Sequence, residues 1–142
     1  MAIPTARAIV PTATPAPQEE VLAAYHRYWE AYGQALLDLD PTRVQDVAAG
    51  DRLQRIQEEI NELRRRGVAA RTNVINNPVL VEIDTDSATI YDELVNNSFY
   101  VDAVTKQPSQ ASGSGEVVRD TYQLQKIDGV WKVVGSSRLV AR

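Results

Sequence analysis

Hydrophobic positions change their spacing once along the chain, from a helical period before residue 67 to strand-like alternation after it. At about 100° per residue, the apolar side chains of segment 18–39 fall on one stripe about 100° wide, which is typical of a helix that packs against a core. The stripe consists of Val21, Tyr25, Tyr28, Trp29, Tyr32, Leu36 and Leu39. A second stripe, with steps of three and four residues, predicts another helix that Asp51 caps and that carries Leu53, Ile56, Ile60 and Leu63.

The ends of these helices carry recognisable stop and start signals. Asp40 followed by Pro41 predicts the N-cap and first position of a short helix between the two long ones. The Arg64–Arg66 run lies in the last turn of the second helix, where positive charge opposes the helix dipole. Gly67 is placed to end that helix in the left-handed conformation.

The second half of the chain predicts an antiparallel sheet. Its alternating segments are 68–83, 88–104, 116–127 and 130–140. Pro78 cannot donate to a ladder, so the first strand is expected to bulge or run along an edge there. Asp128-Gly129 between two apolar-alternating runs is a strong hairpin signal. Helices followed by a meander predict an α+β fold, with the N-terminal helices on one face of a curved four-stranded antiparallel sheet.

The N-terminal segment has a different composition from the rest. Residues 1–17 are rich in Thr, Pro and Ala and predict an extended spacer, which leaves 18–142 as the folded domain. Such spacers often separate a membrane anchor from a folded domain, so we expect an anchor or signal upstream of Met1 and an extracytoplasmic domain. The alternative is a disordered N-terminus of a cytoplasmic protein. No run in the chain approaches the roughly 20 apolar residues of a membrane span, so an anchor would lie outside it.

Composition narrows the chemistry. The chain has no cysteine and one histidine, which excludes disulfides, thiol nucleophiles and multi-histidine zinc sites. A net charge of −4 argues against nucleic acid as a partner. No metal and no cofactor is predicted.

Three segments together resemble one superfamily. They are the aromatic helix VLAAYHRYWEAYGQALLDLD, the pair DPTRVQDVAAG and DRLQRIQEEINELRRRG, and the closing hairpin YQLQKIDGVWKVVGSSRLV. Over 18–142 this layout resembles the nuclear transport factor 2-like superfamily, also called SnoaL-like or cystatin-like. It is most similar in layout to small bacterial secreted or lipoprotein-anchored domains of unknown function.

The resemblance implies a cone, in which a long helix packs against a strongly bent sheet and a pocket opens between them. None of the three segments is a catalytic signature. The superfamily includes ketosteroid isomerases and dehydratases as well as domains without known chemistry, so the fold does not decide the function.

Strand pairing predicts which polar groups face the cone. A two-residue turn at Asp128-Gly129 places Asp120 opposite Ser137 on the core face, and the Asp84–Ser87 turn places Asp92 on an apolar face. A one-residue bulge would reverse these directions. A carboxylate in an apolar cleft can act as a general base, which makes Asp92 and Asp120 weak catalytic candidates. The alternative is that each carboxylate only satisfies buried donors.

Aromatic side chains supply the candidates for the pocket wall, with plain core packing as the alternative. They are Tyr25, Trp29, Tyr32, Tyr122 and Trp131.

The outer face of the predicted sheet carries candidates for an interface. Leu80 and Tyr91 are expected to be exposed there, and Arg119 and Arg138 are expected to face each other, an arrangement that needs an acid from Glu93 or from a partner. This predicts a homodimer through the outer sheet face. Scattered surface side chains and a different register are the alternative.

The leading hypothesis is a non-catalytic extracytoplasmic domain that binds a protein partner or a small apolar ligand. One alternative is a small isomerase or dehydratase that acts on a hydrophobic substrate through Asp92 or Asp120. A dimeric cytoplasmic scaffold is the other alternative.

Overall fold

The structure, a computed structural model, describes residues 16–109 and 113–139. Its helices are α1 (Pro17–Asp38), a short 3-10 helix (Pro41–Val44) and α2 (Gly50–Arg66). Its strands are β1 (Val68–Arg71), β2 (Val74–Ile75), β3 (Pro78–Ile83), β4 (Ser87–Asn96), β5 (Phe99–Asp102), β6 (Glu116–Ile127) and β7 (Val130–Arg138). Nearly all of the predicted spacer lies outside the described residues. Within them, no helix has the length and hydrophobicity that a membrane crossing needs.

α1 lies within one residue of its predicted bounds. α2 ends at Arg66 as predicted but begins at Gly50 with Ala49 as its N-cap, so Asp51 lies in its first turn and does not cap it. Local chemistry explains where the helices end. The Asp40 carboxylate accepts the Thr42 backbone N–H at 3.0 Å, which caps the 3-10 helix as predicted. Gly67 has φ 71° and its N–H donates to the carbonyls of Arg64 and Leu63. A glycine accepts this left-handed conformation without the steric cost of a Cβ, so the predicted end of α2 is confirmed.

The sheet contains more strands than the four predicted. Segment 68–83 divides into β1, β2 and β3, and segment 88–104 divides into β4 and β5. In the larger sheet β4 pairs with β2 and β3 along one edge and with β6 along the other, and β6 pairs with β7. β1 and β5 form a separate two-stranded sheet. The α+β class is confirmed, and the strand count is corrected because Asn76-Asn77 interrupts the ladder ahead of Pro78.

A bulge at Val134 corrects the predicted register of the closing hairpin. Ile127 pairs with Val130 and Leu124 with Val133, as a two-residue turn requires. Beyond the bulge the register moves by one residue. Arg138 therefore lies opposite Asp120 on the inner face, and not opposite Arg119 on the outer face as predicted.

A second bulge, at Val81, corrects the facing of β3. Ile83 pairs with Ala88 as predicted, but Leu80 lies opposite Ile90 after the extra residue. Leu80 is consequently packed against the core, and it is not the exposed interface residue that the unbroken register predicted.

The core lies between the two long helices and one face of the larger sheet. Tyr25 and Tyr28 of α1 are fully buried, and the Tyr25 and Tyr122 ring centroids are 5.2 Å apart in an edge-on arrangement. Ile56 and Ile60 contribute the buried stripe of α2. The aromatic segment of α1 is therefore first a packing surface, because its rings fill the space between helix and sheet.

Candidate functional site

A cavity of about 270 Å³ opens between α1, α2 and the two sheets. Its aromatic wall comprises Trp29, Tyr32 and Tyr122, with Phe99 and Tyr100 of β5. Aliphatic side chains complete the apolar surface, namely Leu36, Ala70, Val74 and Leu94. The volume lies just below the roughly 300–1,000 Å³ typical of pockets for drug-sized molecules, so the cavity suits a small ligand.

One wall of the cavity carries an ion pair. Arg138 donates from Nε to Asp120 Oδ1 at 2.9 Å and from Nη2 to Oδ2 at 3.2 Å. The Tyr122 hydroxyl donates to Asp120 Oδ2 at 3.3 Å. Asp120 is only 5% exposed, whereas the Arg138 side chain is 60% exposed. The carboxylate thus lies inside and its cation at the mouth, and the hydrogen bond from Arg138 to Asp120 raises the pKa of Arg138.

A second arginine, Arg52, lies on the same wall. Its Nε–H donates to the Tyr28 hydroxyl at 2.7 Å. The guanidinium carbon lies 5.9 Å from the Tyr28 ring centroid and 5.5 Å from that of Tyr32, close enough for cation–π attraction. Nearby, the Tyr32 hydroxyl donates to Glu59 Oε1 at 2.9 Å. Two positive and two negative side chains therefore share this wall of the cavity.

The tyrosines at the site remain protonated at neutral pH. Burial raises the pKa of Tyr28 to about 12. Burial also raises the pKa values of Tyr25, Tyr32 and Tyr122. Loss of the proton would place a negative charge in a poorly solvated core, so these phenols act as hydrogen-bond donors.

Raising the pH above about 10 is expected to destabilise the domain. In that range the unfolded chain releases tyrosine protons that the folded chain retains, so the free energy of unfolding falls as pH rises. For Tyr28 the loss extends from pH 10 to about 12, at about 1.4 kcal/mol per pH unit. Urea denaturation across this range tests the expectation, and Tyr28→Phe should reduce the slope. Stability that stays constant up to pH 12 would contradict it.

Asp92 lies apart from the cavity and is fully satisfied. The carboxylate is completely buried. It accepts the Tyr25 hydroxyl at 2.6 Å, the Asn76 side-chain amide at 2.8 Å and the Asn77 backbone N–H at 2.7 Å. The residue therefore ties β4 both to α1 and to the break between β2 and β3, which matches the structural alternative for this carboxylate.

The other predicted site residues divide between the cavity and the core. Trp29, Tyr32 and Tyr122 lie on the cavity wall. Tyr25 is completely buried beside them and does not line the cavity. Trp131, 7% exposed, lies at the hairpin end of the sheet, where Lys126 Nζ is 6.0 Å from its ring centroid. Tyr25 and Trp131 were predicted to line the pocket, but they are core residues that do not line this cavity. The sequence predicts that a side chain is buried, and that does not distinguish a pocket wall from the core.

On the outer face, Arg119 donates to Glu93 Oε2 at 2.8 Å, the acid named as its possible partner. Tyr91, which was expected to be exposed, is half-buried and lies opposite Val79, which is 54% exposed. The strongly exposed apolar side chains of this sheet are Ile75, Val79, Val81 and Val117. The apolar residue beside Tyr91 is thus Val79, in the place where Leu80 was expected.

Sequence reasoning missed Arg52. A signal was available, because Arg52 lies four residues before Ile56 and eight before Ile60, on the buried stripe of α2. A cation on the buried stripe of an amphipathic helix needs a partner in the fold. Its position on the stripe could therefore have identified Arg52 as a candidate site residue.

Comparison with known proteins identifies the fold. No protein-family model matches the chain, and no curated protein matches it. Among solved structures, the intermembrane space region of the chloroplast protein ARC6 is similar with a TM-score of 0.68 and 16% identity, over 91% of this chain and 99% of that one.

An NTF2-like protein from Cytophaga hutchinsonii is similar with a TM-score of 0.57 and 13% identity, over 89% of this chain and 100% of that one. An uncharacterised protein with a cystatin-like fold from Caulobacter vibrioides has a TM-score of 0.53 and 17% identity, over 87% of this chain and 91% of that one. The chain has the nuclear transport factor 2-like, cystatin-like fold, as its resemblance implied. At these identities the likeness extends to the fold alone.

Proposed function

We propose that this chain is a non-catalytic, extracytoplasmic binding domain whose cavity takes a small, mainly apolar ligand. The cavity itself carries the proposal. Nine aromatic or aliphatic residues line it together with seven polar or charged ones, so it offers both apolar surface and groups that can orient a ligand.

The state of the two carboxylates supports a binding role over a catalytic one. A general base must reach the substrate proton, and the donors that its oxygens already bind compete with that proton. Asp92 is buried outside the cavity and already accepts three donors. Asp120 faces the cavity, but Arg138 engages both of its oxygens.

The position of Asp120 favours one second candidate, a small isomerase or dehydratase that acts on a hydrophobic substrate. Its carboxylate lines the cavity beside the Tyr122 hydroxyl, a donor that could polarise a substrate oxygen. The catalytic hypothesis requires Asp120→Asn to abolish turnover while ligand still binds, whereas the binding hypothesis requires no turnover from either protein.

Two observations support an extracytoplasmic setting. The Thr/Pro/Ala-rich segment 1–17 has the composition of a spacer that holds a domain away from an anchor. The ARC6 region with a similar fold is described as part of an intermembrane space. Fractionation of the native protein, with protease accessibility of the intact cell as readout, tests this part of the proposal.

The two tryptophans provide a direct test of ligand binding. Trp29 lies on the cavity wall and Trp131 does not, so a ligand in the cavity should shift only one of the two indole N–H signals in proton–nitrogen correlation spectra. We expect phenylacetamide, a neutral aromatic probe, to shift the Trp29 signal in a saturable way and leave Trp131 unchanged. Trp131→Phe assigns the signals.

A cavity-filling variant supplies the control. Ala70 is buried on the cavity wall, so Ala70→Leu should reduce the Trp29 shift, whereas Val117→Leu on the exposed outer face should not. Thermal denaturation of both variants establishes that they remain folded. If phenylacetamide leaves Trp29 unmoved, or if Ala70→Leu binds as well as wild type, the cavity is not the binding site.

A further inference from the structure

We propose that the ligand of this cavity is an amphipathic monocarboxylate and that Arg52 binds its carboxylate. The inference rests on the proposed binding function and specifies its ligand class. It starts from a guanidinium on the cavity wall that has no carboxylate in ion-pair range among the described residues.

Arg52 has one hydrogen bond within the described residues, from Nε to the Tyr28 hydroxyl. An arginine carries five N–H donors, so four remain. Within 16–109 and 113–139, no carboxylate lies in ion-pair range of its guanidinium. Arg43 has two such partners, and Arg55, Arg65, Arg119 and Arg138 have one each. Arg52 is also half-buried, and placing an unpaired cation there costs stability.

The rings of Tyr28 and Tyr32 hold the guanidinium in place. Both centroids lie within 6 Å of its central carbon, and the Tyr28 hydroxyl fixes Nε. The attraction to the two rings offsets part of the cost of removing the guanidinium from water. It provides no hydrogen-bond acceptor for the four remaining N–H groups. A planar fork that is already oriented needs little further ordering to bind an anion.

Arg52 lies where the cavity meets a second cleft. That cleft is lined by Arg55, Ser136 and Ser137, and it shares Arg52, Asp120, Tyr122 and Arg138 with the cavity. A ligand with its apolar body against Trp29 and Leu94 would thus have its polar end at the boundary between apolar and polar surfaces. An amphipathic molecule, with one apolar end and one polar end, matches these two neighbouring surfaces.

Charge balance and geometry favour a carboxylate over a phosphate. Arg138 and Asp120 neutralise each other, and Glu59 adds a negative charge near Tyr32. Because the two arginines and two carboxylates of this wall already balance, a monoanion leaves one net negative charge there, whereas a dianion would leave two next to Asp120 and Glu59. The arginine fork also matches the two oxygens of a planar carboxylate.

Phenylacetate and phenylacetamide form a matched pair of probes that differ in charge. Binding is measured at neutral pH through the Trp29 indole signal. We expect phenylacetate to bind about tenfold or more tightly than the amide, because a charge-assisted hydrogen bond supplies a factor of that size. Arg52→Gln should remove that preference, so that the variant binds the two probes with equal affinity. Arg52→Lys should retain part of it, because it keeps the charge without the fork.

Arg55→Gln is the control, since Arg55 lies on the same helix and lines only the outer cleft. It should keep the full preference for phenylacetate. Equal affinities of the two probes in wild type, or a preference that survives Arg52→Gln, would overturn the carboxylate site and leave the binding function standing. Competition by inorganic phosphate at concentrations below those of phenylacetate would also overturn the assignment to carboxylates. If neither probe shifts Trp29, both proposals fail.

Discussion

Replacing Asp92 with alanine is expected to lower the free energy of unfolding by about 3 kcal/mol. The carboxylate is the common acceptor for Tyr25, Asn76 and Asn77, which belong to α1 and to the break in the edge strand. Tyr25 contributes most of the loss because its hydroxyl stays in a fully buried core without an acceptor, whereas Asn76 and Asn77 lie nearer to water. Urea denaturation followed by circular dichroism measures the change.

A variant at an exposed acid and a double-mutant cycle isolate the effect. Asp86→Ala removes an acid from the turn before β4 and should change stability by no more than about 0.5 kcal/mol. Tyr25→Phe should remove less stability in the Asp92→Ala background than in wild type, because the two groups share a hydrogen bond. Additive losses would show that this hydrogen bond does not hold α1 to the sheet.

Replacing Tyr122 with alanine is expected to cost about 3–5 kcal/mol, the range for removal of a large aromatic side chain from a core. Its ring centroid lies 5.2 Å from that of Tyr25, 6.0 Å from Tyr28 and 6.1 Å from Trp29, so one truncation removes contacts with three neighbours. Chemical denaturation again provides the measurement.

Tyr122→Phe separates the ring from its hydroxyl. The hydroxyl makes one bond to Asp120, at 3.3 Å, and its loss should cost about 1 kcal/mol or less because Arg138 still pairs with that carboxylate. Tyr100→Ala, at a 38% exposed tyrosine of β5, should be mild by comparison. A loss from Tyr122→Phe equal to that from the alanine variant would mean that polar contacts, and not ring packing, stabilise this part of the core.

The sequence left open whether the aromatic side chains of α1 pack in the core or line a pocket. Its aromatic segment is a packing surface, yet Trp29 and Tyr32 also face the cavity. Packing and ligand contact are therefore successive parts of one helix face, and not alternatives. A stripe about 100° wide is broad enough to reach both.

The helices could be predicted closely because their signals are local. Hydrophobic spacing, the Asp40-Pro41 cap and the glycine at 67 all act within a few residues. Both ends of α1 and the end of α2 lie within one residue of expectation. The closing hairpin follows the same rule near its turn, where Ile127 pairs with Val130. The exclusion of cysteine chemistry needed composition alone.

What the tertiary structure decided is which side chains meet. One extra residue at Val81 and another at Val134 brought Leu80 and Arg138 to the inner face, and the packing of the whole sheet selects such bulges, not the turn beside them. The same packing left Asp92 satisfied outside the cavity and, among the described residues, left Arg52 with no carboxylate in ion-pair range. The chain alone determined its two long helices, their apolar stripes and the closing turn, because period and capping are local properties. The cavity and its charges depend on contacts between residues far apart in sequence, such as Asp92 with Tyr25, and only the assembled fold specifies those contacts.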